Sequence, residues 1–164
     1  MFSRSPRSRW LGAAASVLVA ATWSACNSNP TPTSVPRAII TVNSDPNPIP
    51  AVASQRVGTT FSARYKVVIT ENAGQGCEVQ AVNSTLYDEV SGVIVGIVNY
   101  DTADLLVFVG QKRIEANGTM EVPIQIDYFI PNDVTAKAAR LNVLVNVKDD
   151  HDNLVSSSAL VRVQ

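Results

Sequence analysis

Histidine is almost missing from this sequence, and His151 is its only instance. One imidazole supports neither a zinc site nor a Ser-His-Asp triad, so metallohydrolase and triad chemistry lose their usual residues. There is no glycine-rich phosphate loop and no nucleophile elbow. Cysteine is scarce too, with only Cys26 and Cys77. Long hydrophobic runs are absent: the longest uncharged apolar stretch, Leu11 to Trp23, has 13 residues, short of the about 20 that a spanning helix needs. Both tryptophans, Trp10 and Trp23, lie in the first 25 residues.

What is present begins with an export pattern. Arg4, Arg7 and Arg9 precede the Leu11–Trp23 run, the order of a signal peptide's basic and apolar regions. Ser24-Ala25-Cys26 follows, and it resembles the lipobox of bacterial lipoproteins, with Trp23 where that family usually carries an aliphatic residue. The resemblance covers the first 26 residues. It implies a signal peptide over residues 1–25, removal of that segment, and acylation of Cys26 as the new N-terminus. Asn27, in place of the Asp that the family reads as inner-membrane retention, implies the outer membrane in a cell with two. The alternative is a secreted or periplasmic chain. Lipid would be the only covalent group, and no cofactor is expected.

Without the three signal arginines, the 13 basic residues fall to 10 against 14 acidic ones, a net charge of −4. That sign argues against a nucleic-acid partner, whose phosphates demand a basic surface. With Cys26 spent on lipid, Cys77 has no partner for an internal disulfide and reads as a small buried apolar residue. Residues 26–36 are the lipidated cysteine and a tether of Ser, Asn, Thr and Pro, too polar to bury a core and reaching about 30 Å when stretched. Residues 37–164 suit one domain.

That domain reads as strand after strand. Phe61, Ala63, Tyr65, Val67 and Ile69 alternate with more polar neighbours, giving one oily face at period two. Met120 to Tyr128, Ala139 to Val147, and Val155 to Val163 repeat the pattern. Shorter candidates are Ala38–Val42, Cys77–Tyr87 with a bulge near Asn83, Gly92–Val98 and Asp104–Val109. No segment shows a capped helical stripe. Pro123 cannot donate to a ladder and marks an edge or a bulge. The expectation is all-β: an antiparallel β-sandwich of seven to eight strands. On strand number and spacing it resembles bacterial immunoglobulin-like or fibronectin-III-like domains, without the Trp and cysteine pair of antibody domains.

Candidate sites are few. Asp149, Asp150, Asp152 and Asn153 surround His151 in one turn. Their oxygens suit calcium, but Asp and Asn also fill plain hairpin turns, which is the preferred reading. Asp88-Glu89 reads as two solvated turn charges. If eight strands alternate up and down, Asn47, Lys112, Arg113 and Asp150 share the end that faces away from the tether, a candidate binding face. The functional expectation is a non-enzymatic envelope lipoprotein, held to a membrane by lipid, whose sandwich binds or supports an unknown protein or glycan partner. The alternatives are a calcium-stabilised adhesion module and a hydrolase.

Overall fold

The computed structural model describes residues 35–130 and 138–164. In chain order it contains β1 (Ile40–Asp45), β2 (Ala51–Ala53), β3 (Phe61–Glu71), β4 (Cys77–Asp88), β5 (Ile94–Asp101), α1 (Thr102–Phe108), β6 (Arg113–Ile114), β7 (Thr119–Tyr128), β8 (Ala139–Asp149) and β9 (Leu154–Val163). All strand pairs are antiparallel. In the four-stranded sheet β3 is central, with β7 on one side and β1 then β2 along the other. The five-stranded sheet runs β5-β4-β8-β9, and β6 continues the β5 side of β4 at Cys77 and Glu78.

This is an immunoglobulin-like sandwich. β3 and β7 stand where strands B and E stand in that fold, β4, β8 and β9 where C, F and G stand, and β5 where the extra C′ strand lies. The first strand is split: β1 pairs with β3, and then Ile49 crosses to bridge Val163 of β9 in parallel. Pro46, Pro48 and Pro50 occupy the crossing, where no ladder needs their missing N–H.

The expected inward faces are the observed ones. Phe61, Ala63, Tyr65, Val67 and Ile69 of β3 and every second residue from Met120 to Tyr128 of β7 are buried. Opposite them lie Ala139 to Val147 of β8, again alternate residues, and Cys77, Val79, Val82, Ser84 and Leu86 of β4. Each such Val, Leu or Ile contributes about 1.5–3 kcal/mol by leaving water. β7 is an edge strand of its sheet, as Pro123 requires. Gly96 is there for contact: a Cβ on it would stand 2.5 Å from Ile126 Cγ2 across the sandwich.

Three sequence expectations are corrected. The bulge in β4 is not at Asn83 but between Val79 and Ala81, with a second register shift between Leu86 and Tyr87. Ser84 is fully buried, so Val82, Ser84 and Leu86 keep one phase, and a polar residue on the core side hides it. Asp104–Val109 is not a strand. Asp101 accepts from the N–H groups of Ala103 and Asp104 at 2.8 and 2.9 Å while Asp104 accepts from Asp101 N–H at 3.2 Å, a capping box that starts α1. Leu105 is the buried anchor of the helix, and Gly110, at φ +81°, ends it. Among the described residues the domain has nine strands instead of the expected seven to eight, because β2 and β6 lie inside stretches read as loops.

Losing a strand between β5 and β7 reverses every later direction. The end where the chain enters at Ala38 therefore carries residues 72–76, 102–118 and 150–153, as the pairing of Ile40 with Glu71 and of Cys77 with both Ile114 and Asp149 requires. Residues 54–60 and 89–93 lie at the opposite end, level with Phe61, Tyr128, Asp88 and Ala139.

Candidate functional site

Two strands end in buried carboxylates at the entry end. Glu71 closes β3 and is 1% exposed; Asp149 closes β8 and is 3% exposed. Neither has a cation as its partner. Glu71 Oε1 accepts from the N–H groups of Ala73 at 2.7 Å and Ile39 at 3.4 Å, and Oε2 from those of Gln75 and Asn117 at 3.1 and 3.0 Å. Asp149 Oδ1 accepts from His151 and Asn153 N–H, both at 2.9 Å. Its Oδ2 accepts from Ala38 N–H at 3.2 Å and from the Asn153 amide at 3.0 Å. The two groups thus tie three connections and the entering chain together, and Arg37 adds a bond to the Leu154 carbonyl.

Burial by itself would push both carboxyls up. The N–H donors outweigh it and hold Glu71 below the usual range and Asp149 at about 2. Such groups are structural anions, with their lone pairs committed. Because the folded value of Asp149 lies below its unfolded value of about 3.9, its stabilisation is complete above that pH and is lost as pH falls toward 2. The melting temperature should therefore drop between pH 4 and pH 2.5, and the drop should be smaller in Asp149→Asn; calorimetry at the two pH values checks it.

The acidic turn does not converge on one point. Asp149 is turned onto backbone donors and Asn153, Asp150 receives a two-pronged contact from Arg113 at 2.8 and 3.0 Å, and Asp152 pairs with Lys148 at 2.6 Å. Among the described residues no three His, Cys, Asp or Glu side chains form a metal-binding group. Lys112 pairs with Glu78, and Arg113 also meets Glu115 at 3.0 Å. Exposed pairs of this kind are weak.

The shared binding face is overturned. Arg113 and Asp150 are joined, with Lys112 and Asn117 nearby, but at the entry end instead of the far one. Asn47 lies elsewhere, between Asp45, opposite Lys66, and Ala51, opposite Ala63, about 20 Å along β3 from Glu71. The cause is α1, which took a strand out of the alternation. The two turn charges at Asp88-Glu89 are engaged locally: Asp88 accepts from Ser91 N–H at 3.0 Å, and Glu89 pairs with Arg162 at 2.6 Å. Cys77 is buried, and desolvation pushes its thiol up to about 11, which leaves it inert. Cys26 lies outside the described residues.

Sequence reasoning missed the outer face of the five-stranded sheet. Cross-strand register aligns Ile97, Thr85, Asn142 and Leu160 in one row, and Asn99, Asn83, Leu144 and Ser158 in the next. Ile97 is 54% and Leu160 68% exposed. A shallow depression of about 410 Å³ lies among Tyr87, Arg140, Asn142 and Leu160. This face mixes branched aliphatics, one tyrosine, two opposed arginines (Arg140 and Arg162) and amides. The outer face of the other sheet differs, with Lys66 paired to Glu121 at 2.7 Å and a polar cleft among Arg56, Arg64, Gln125 and Asp127. The signal in the sequence was Leu144 and Leu160, apolar residues on the polar phase of their strands.

No protein-family model matches the chain, and no curated protein matches it. Solved structures do. The Northeast Structural Genomics Consortium target SoR45 aligns at 10% identity over 76% of this chain and 84% of its own, with a TM-score of 0.53. A candidate ApaA protein from Bordetella pertussis aligns at 15% identity over 77% of this chain and 95% of its own, with a TM-score of 0.54. Murine CRIg aligns at 10% identity over 77% of this chain and 97% of its own, with a TM-score of 0.43. At such identities the likeness to the first two is one of fold.

Proposed function

We propose that the chain is an exported, non-enzymatic envelope lipoprotein, anchored through lipid on Cys26, whose sandwich binds a protein partner on the outer face of the five-stranded sheet. The observation that carries the binding reading is that face. Exposed Ile97, Leu144 and Leu160 give the face apolar area, and Tyr87 and Arg140 beside them are residue types that protein interfaces enrich, with amides at the margin. A glycan partner is the poorer fit, since Tyr87 is the one aromatic in the depression. The fold supports a binding or structural module but selects no partner. Anchoring rests on the residues around Cys26. The face runs along the strands and is not at the end where the chain enters at Ala38.

A photo-cross-linking residue at Leu144 in cells should give a discrete protein adduct, and the same residue at Lys66, on the other sheet's outer face, should give none. Adducts from Lys66 alone, or equal adducts from both, would contradict the assignment.

A further inference from the structure

The sandwich has edges, and the one formed by β5 is undefended along most of its length. On one side Ile49 closes β9, with Ile49 N–H donating to the Arg162 carbonyl at 2.9 Å and Gln164 N–H to the Ile49 carbonyl at 3.0 Å. The free edge of β7 carries Glu121, Pro123 and Asp127, the charges and proline that discourage strand addition. β5 has no proline, and its single charge is Asp101 at its last residue, so Ile94 to Tyr100 hold neither. Among the described residues, no loop donates to or accepts from its outer backbone edge.

We infer that β5 pairs antiparallel with β5 of a second copy, about a two-fold axis at Ile97, to make one continuous sheet. Two features make the edge self-complementary. A pairing centred on Ile97 sets each Asp101 opposite the partner's Val93, so the two carboxylates stay apart. The same pairing runs the end that leads into α1 toward the partner's turn before β5. Both ends expose apolar side chains: Val107 is 76% exposed on α1, and Val90 is 86% exposed in the turn. Each copy's helix thereby covers the other's turn, an isologous contact that closes on itself. The occupant is a second copy because both halves of the contact are already present in one chain.

Two readouts on the full chain test it. Ile97→Cys puts two thiols on the axis, where Cα atoms of directly opposed residues lie about 4.5–5.5 Å apart, within disulfide reach. A covalent dimer should form under mild oxidation. Asn99→Cys should form none, its two sulfurs being about 14 Å apart along the strands. Ile97 is exposed on the outer face, so Ile97→Lys should fold normally, as judged by circular dichroism, yet place two ammonium groups together. In sedimentation velocity the wild type should be a dimer and Ile97→Lys a monomer. A monomeric wild type, cross-linking through Asn99→Cys as strong as through Ile97→Cys, or a dimer that survives Ile97→Lys would overturn the inference.

Discussion

Asp149→Ala is expected to lower the melting temperature by roughly 10–15 °C, while Asp150→Ala, one residue on, is expected to lower it by no more than about 2 °C. The contrast follows from where the two carboxylates point. Asp149 is buried at the end of β8 and accepts from Ala38, His151 and Asn153. Hydrogen bonds to a charged group contribute about 1.5–3 kcal/mol each, and a donor left buried without an acceptor costs about as much as the bond it lost. The bonds are not additive, because the turn can open and let water reach His151 and Asn153. A net loss of about 3 kcal/mol remains, and each kcal/mol moves a domain of this size by about 3–5 °C. Asp150 has its carboxylate on exposed Arg113, in water on both sides. Differential scanning calorimetry of the two variants checks the claim. Equal drops would mean that the carboxylate staple does not hold the entry end.

Strand faces were legible wherever a strand kept one apolar phase along its whole length. β3, β7 and β8 have every second residue buried in the core, so period two carried through to burial. β4 was misread because Ser84 sits on the buried side and the bulge near Gln80 shifts the phase before it. α1 was missed for a different reason: with seven residues and one buried anchor, Leu105, it has no stripe to detect. Its start is marked by two aspartates, Asp101 and Asp104, whose capping role shows only once their side chains are placed.

That one helix decided how the site was read. With a strand in its place, the acidic turn and Arg113 fall at the end away from the tether; with the helix, they fall where the chain enters. Glu71 was invisible for a related reason. A charged residue after Ile69 looks like the exposed end of a strand, and its burial becomes plain only when loops 72–76 and 115–118 close over it. Leu144 and Leu160 could have been noticed on the polar phase. Which strands lie side by side, and so make them one surface, is set by β8 pairing with both β4 and β9.

The other large effect concerns where the protein resides. Cys26→Ala is expected to abolish lipid modification and to move the chain from the membrane fraction to the soluble or unprocessed pool. The driving force is apolar: each buried methylene contributes about 0.8 kcal/mol, and two or more acyl chains make release rare. Among the described residues no helix is long and apolar enough to cross a membrane. Fractionation followed by detergent phase partitioning reads the change. Wild-type protein should enter the detergent phase almost completely, and the variant should not.

The protein is proposed to be a folded binding module held at a membrane by its first residue after processing. Mass spectrometry of the mature N-terminal peptide from membrane-extracted protein tests it most directly. The predicted result is a peptide that begins at Cys26 and carries covalent acyl groups. A mature chain that begins with an unmodified residue other than Cys26 would contradict it.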